Sequence, residues 1–174
     1  GIKQAIMPMI ILTCLASRLC NKQVVWIEDR MEHLTAASSA TGRLTKIKAS
    51  IDDQGTIHAL DYDQIDDVGA YPRAPEPASL YRMHGNLSGA YKVKNIRCRN
   101  RVILTNKTPS GLNRGFGGPQ HYFALERLVH QIAVELKLNV LDVIKINLLE
   151  KKQFPYKSPS GALLDSGNFQ KLVK

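Results

Sequence analysis

Between Pro119 and Leu136 the apolar residues fall at steps of three and four: Leu125, Leu128, Val129, Ile132, Ala133 and Leu136. That spacing gathers them into one stripe on a helix. Pro119 suits its first turn, where an N–H has no intrahelical partner to lose. A shorter helix is predicted around Leu141–Leu149. Another is predicted over residues 5–19, with Pro8 tolerable in its first turn. Two other stretches carry strand patterning. Leu44–Ile51 alternates in type, Asp52-Asp53-Gln54-Gly55 supplies a turn, and Thr56–Leu60 continues, which predicts an antiparallel hairpin. Val93–Thr105 reads as a strand with Arg97, Arg99 and Arg101 on one face and Cys98 on the other, core-directed face. Val24–Ile27 reads as a short buried strand. Residues 72–79 form a proline-rich connection, and the tail after Phe154 holds Ser-Pro-Ser-Gly and Asp-Ser-Gly turns. Strands and helices do not alternate strictly, so the expected class is α+β: a mixed or antiparallel sheet with packed helices.

The apolar run from Ala5 to Ala16 is too short to span a bilayer as a helix and reads as part of a buried core rather than as a signal peptide. The chain opens on Gly1 rather than Met, so the true N-terminus is expected to be absent or processed. The 174 residues suit one domain or a large part of one, and 44% hydrophobic residues are enough for a packed core. A net charge of +9 points to nucleic acid, an anionic cofactor or acidic partner subunits. Three cysteines, Cys14, Cys20 and Cys98, give neither a disulfide framework nor a zinc-site spacing, and a reducing, cytoplasmic setting is the simplest expectation.

The most informative segment is the glycine-rich loop of residues 110–120, centred on Arg114-Gly115-Phe116-Gly117-Gly118-Pro119-Gln120. Glycines allow a ligand close approach to the backbone, and a helix N-terminus beside them favours anions. Arg114 adds a planar cationic fork, and Phe116 an aromatic face. The segment therefore suits a flat, partly anionic ligand, and equally an ordinary turn before a helix. Arg-Gly-Phe-Gly also resembles the start of an RNA-recognition signature. That signature needs further aromatics on a strand, where this chain has Gly118-Pro119 and then a helix.

Other features carry blander readings. Asp61–Asp67 lacks the spacing and closing Glu of a calcium loop and reads as a solvent-facing strand end. The five histidines show no metal-ligand spacing. His121, next to the loop, is assigned a surface or capping role. Arg97, Arg99 and Arg101 suit a phosphate-binding face, a contact surface or plain solvent exposure.

Arg114–Gln120 ahead of a helix resembles the substrate-channel loop of the molybdenum hydroxylases, the xanthine dehydrogenase/aldehyde oxidase/carbon monoxide dehydrogenase family. Four other stretches agree in order. Gly1-Ile2-Lys3 resembles the end of that family's cofactor loop, and Val24–Arg30 with Glu32-His33-Leu34 its Asp-Arg strand. Tyr91–Ile96 with Thr105-Asn106 resembles the strand pair before the loop. Leu148-Leu149, Phe154-Pro155 and Asp165-Ser166-Gly167 resemble the segment after the helices. The resemblance implies that residues 1–174 are a fragment of one molybdopterin-binding domain of the large catalytic subunit. The implied cofactor is a pyranopterin (molybdopterin) carrying molybdenum, with iron–sulfur clusters and flavin on partner domains or subunits. The implied reaction oxidises or hydroxylates an aldehyde, heterocycle or carbon monoxide with oxygen taken from water. Implied cofactor contacts are Gly1, Arg114, Gly115, Gly117, Gly118 and Gln120. Implied substrate contacts are Gln4, Arg82 and Phe116.

Departures from the family pattern narrow the reading. Gln4 stands where purine oxidisers carry a substrate-recognising glutamate, which argues against purines. No cysteine lies near Arg114, where the carbon monoxide branch carries Cys-Ser-Phe-Arg, which argues against copper-bridged chemistry. The family's general-base glutamate lies beyond this chain, so no catalytic residue and no metal ligand is assigned, and the fragment alone is expected to be inactive. Expected partners are the rest of the large subunit, iron–sulfur and flavin subunits, and a small-molecule substrate, with no membrane and no nucleic acid. The alternative is a basic α+β module that binds nucleic acid or a phosphorylated ligand with strong salt dependence.

Overall fold

The computed structural model describes residues 6–40, 42–73, 83–111 and 114–173. Its helices are α1 (Met7–Cys20), α2 (Arg30–Ala36), α3 (Gly118–Leu136) and α4 (Val140–Asn147). Its main strands are β1 (Gly42–Ile51), β2 (Ile57–Asp67) and β3 (Asn95–Ile103). A short pair, β4 (Tyr156–Lys157) and β5 (Leu163–Leu164), lies near the end of the chain. The expected hairpin is present: β1 and β2 pair antiparallel around a turn in which Gly55 holds φ +84°, a region natural to glycine. β3 then pairs with β2 in parallel, so the sheet is mixed, in the order β1-β2-β3.

The period of two along β2 decides which face is covered. Leu60, Tyr62, Gln64, Asp66 and Val68 point inward and are buried, while Asp61, Asp63, Ile65 and Asp67 take the other face. Helix α3 packs across the inner face, burying Leu125, Val129, Ile132 and Ala133, four members of the predicted stripe. Leu125, Val129 and Ile132 each contribute roughly 1.5–3 kcal/mol by leaving water. Asn147, the last residue of α4, fastens that helix to the hairpin. Its Oδ1 accepts from the Ile57 N–H at 2.8 Å, and its Nδ2 donates to the Gly55 carbonyl at 2.8 Å.

Several expectations need correction. α1 forms where expected but buries none of its side chains: Ile10, Ile11, Leu15 and Leu19 are exposed. Its apolar residues surround the axis, and the inner face of the sheet is already covered by α3. Val24–Ile27 is not a strand. It runs unpaired, with Val25, Trp26 and Ile27 exposed, because no described strand edge meets it. The polar stretch after Ile27 contains α2, opened by a capping box in which Asp29 and Glu32 each bond the other's backbone N–H. The acidic stretch of β2 is not simply solvent-facing, since Asp66 is fully buried. The proline-rich connection lies mostly outside the described residues.

Candidate functional site

Helix α3 begins at the glycine loop, and the loop's backbone is unusual at two adjacent residues. Gly115 holds φ +92°, and a Cβ there would stand 3.2 Å from Pro119 Cδ. Phe116 holds φ +54°, a left-handed conformation rare for a bulky residue. The turn closes through the Gly118 N–H to the Gly115 carbonyl at 2.9 Å and the His121 N–H to the Gly117 carbonyl at 3.1 Å. Phe116 is thereby turned into a cavity of about 660 Å³ between α3 and β1, which it shares with Gln120, Arg43, Thr45, Phe123 and Arg127. Arg114 is exposed, outside that cavity, and has no ion pair or hydrogen bond among the described residues. Gly117 and Gly118 are buried. Of the other predicted contacts, Gly1, Gln4 and Arg82 lie outside the described residues. The loop is described from Arg114 onward, and at Ser110 and Gly111.

Behind the loop the inner face of the sheet changes from apolar to polar. Arg43 on β1 and Asp66 on β2 are cross-strand partners joined by two hydrogen bonds, at 2.7 and 3.0 Å. Their side chains are 2% and 0% exposed, so this pair is removed from water. Gln64, one inward position along β2, is fully buried, and its amide oxygen and nitrogen have no hydrogen-bond partner among the described residues. His84 also faces this region. Burial, with the Arg43 charge second, lowers its pKa.

His121 completes the layer and overturns the surface or capping assignment. It is 0% exposed, in the first turn of α3. Its ring lies 5.2 Å from Tyr62 and 5.3 Å from Tyr122, centroid to centroid. Nε2 is 3.1 Å from the Leu87 carbonyl. Burial in this layer, with Arg43 and His84 adding like charge, pushes its pKa down to about 4 against the bond to Leu87. One sequence signal was available: His121 precedes Leu125 and Val129 at steps of four, on the buried stripe itself. The Arg43–Asp66 pair had no such signal, because it joins two strands whose register is set only by pairing.

The outer face of the sheet carries the arginine row. Arg97 is held by Asp61 and Arg101 by Asp63, while Lys107 pairs with Asp67 at 3.0 Å. The acidic positions of β2 are thus engaged by cations of the same fold, and two of the three arginines already have carboxylate partners. Cys98 faces the core as expected, where burial pushes its thiol pKa up.

Against this geometry, the chain matches the family described as "Molybdopterin cofactor-binding domain" over residues 1–148, and it belongs to that family. It is 30% identical over 156 residues to the 6-hydroxypseudooxynicotine dehydrogenase complex subunit gamma of Paenarthrobacter nicotinovorans, covering 90% of this chain and 20% of that protein. It is 27% identical to the carbon monoxide dehydrogenase large chain of Hydrogenophaga pseudoflava, covering 100% of this chain and 22% of that one. Among solved structures, quinoline 2-oxidoreductase from Pseudomonas putida 86 superposes with a TM-score of 0.88 at 30% identity, over 95% of this chain and 21% of that one. The chain therefore spans about a fifth of the length of these relatives. No helix among the described residues is long and apolar enough to cross a membrane.

Proposed function

We propose that this chain is a fragment of one molybdopterin-binding domain, from the large catalytic subunit of a molybdenum hydroxylase, and that its loop 114–120 borders the cofactor and the substrate channel. The observation that carries this is Arg114: an exposed guanidinium with no ion pair or hydrogen bond among the described residues, on a glycine loop at the start of α3, inside the segment matched to the family. Such a guanidinium beside buried glycines that bear no Cβ fits the anionic, flat pterin group. Arg114, Gly115, Gly117, Gly118 and Gln120, with Gly1, are the residues proposed to hold it. Phe116, Gln4 and Arg82 are proposed to face substrate.

The bound molybdenum–pterin group supplies a two-electron oxidation with oxygen drawn from water. The chain's own contribution is positional. Arg114 neutralises the anionic end of the cofactor. The Gly115 turn directs Phe116 toward a flat substrate, and α3 fixes both to the sheet. An aldehyde or a nitrogen heterocycle is the proposed substrate class. Relatives named for 6-hydroxypseudooxynicotine and nicotine, and the quinoline oxidoreductase, support the heterocycle. The loop carries no cysteine, which supports setting carbon monoxide aside. Relatives named as a complex's gamma subunit and as a large chain support partner subunits carrying the iron–sulfur and flavin groups. The free Cys14 and Cys20, both exposed, support a reducing, cytoplasmic setting.

The test is the molybdenum and pterin content of the full-length subunit expressed with its partners, beside its Arg114→Ala variant. Near-stoichiometric molybdenum that is weakened in the variant is the expected result. A subunit free of molybdenum, under conditions that load a known family member, overturns the proposal. Salt-dependent binding of nucleic acid would then be tested next.

A further inference from the structure

The Leu87 carbonyl accepts two hydrogen bonds, one from the Tyr62 hydroxyl at 2.8 Å and one from His121 Nε2 at 3.1 Å. A carbonyl can only accept, so Nε2 carries the imidazole hydrogen and Nδ1 presents a lone pair. Nδ1 is buried and has no hydrogen-bond partner among the described residues. The ring is thus held in one tautomer by one bond. That bond joins α3 at its first turn to the segment 83–91, which continues the chain from Arg82. Around it, Tyr62 anchors the same carbonyl to β2, and the Asn86 side chain donates to the Tyr122 hydroxyl at 3.1 Å. The described segment 83–91 and the start of α3 are therefore registered against each other by the imidazole bond, with the Asn86–Tyr122 and Tyr91–Glu126 bonds beside it.

We propose that His121 is a positioning residue: its Nε2–H bond to Leu87 sets the placement of the loop 114–120 relative to the segment that follows Arg82. An apolar residue of similar size would fill the same space but would lose the directed, buried bond by which the first turn is held to Leu87. The functional meaning of that bond rests on the reading of the loop given above.

The test compares His121→Gln, His121→Asn and His121→Leu in this chain by amide hydrogen exchange. A glutamine amide nitrogen reaches the position of Nε2, an asparagine amide reaches only that of Nδ1, and leucine keeps volume alone. In the Asn and Leu variants, exchange at Gly115–Gln120 and Leu87–Gly89 is expected to speed up by about tenfold or more, with Ile57–Tyr62 and Val129–Ala133 held within about twofold. The Gln variant restores the loop. An unchanged loop in the Asn and Leu variants overturns the proposal. Equal acceleration of β2 and the loop in all three variants also overturns it, because His121 would then be only a core residue. In the full-length subunit, pterin retention should follow the same order. Loop exchange that behaves as expected, in a subunit that holds no molybdenum, would leave the positioning role standing and remove the cofactor reading instead.

Discussion

Arg43 and Asp66 illustrate what one buried charge demands of its neighbour. Both side chains are withdrawn from water, so removing either strips the other of its opposite charge in a buried setting. Asp66→Ala is expected to cost roughly 3–5 kcal/mol in urea unfolding, while the double replacement Arg43→Met with Asp66→Leu is expected to recover most of that loss. His121 supplies a pH dependence with a definite sign. Its folded pKa of about 4 lies below the ordinary histidine value of 6.5, so the unfolded chain binds the proton more readily between them. The stability that depends on neutral His121 is fully present above pH 6.5 and is lost as pH falls toward 4. The difference in unfolding free energy between wild type and His121→Gln should shrink over that window by on the order of 3 kcal/mol. A flat difference would show that His121 titrates normally.

At the level of elements, α3 contributes most of the helical cover of the sheet. Leu125 is fully buried against it, and Leu125→Ala is expected to cost about 3–5 kcal/mol, read from the denaturation midpoint. Both the α3 stripe and the β1–β2 hairpin were legible in the sequence, because each is a local pattern: apolar steps of three and four, and alternation broken by Asp-Asp-Gln-Gly. The class α+β followed from them. The parallel placement of β3 was not legible, since strand order depends on partners distant in sequence. The loop itself was legible through its glycines, its arginine and its family likeness. The polar layer beneath it was not, apart from the histidine on the stripe. α2 was missed although Asp29-x-x-Glu32 announced it.

At the scale of the whole molecule, much of the apolar surface of the described residues is uncovered. α1 exposes Ile10, Ile11, Leu15 and Leu19, and Trp26, Ile27, Met31 and Leu34 are also exposed. Apolar surface on this scale favours association. This chain is expected to sediment as a concentration-dependent mixture. Ile11→Lys with Leu19→Lys should shift it toward monomer without lowering the unfolding midpoint, because neither side chain is buried. Sedimentation velocity across a dilution series decides this, and a variant that unfolds would mean α1 is part of the core after all.

The mixed sheet also sets an order of assembly in time. β1 and β2 are joined by a tight turn and need little chain to find each other, whereas Asp61 and Arg97, facing across β2 and β3, are 36 residues apart. Closing that longer loop costs entropy before any contact repays it. On a ribosome the hairpin emerges complete while β3 and α3 are still being made, so its inner face waits, part apolar and part polar, for a helix that arrives later. Substitutions in the hairpin turn should therefore slow folding, and those at the β3 pairing should mainly quicken unfolding.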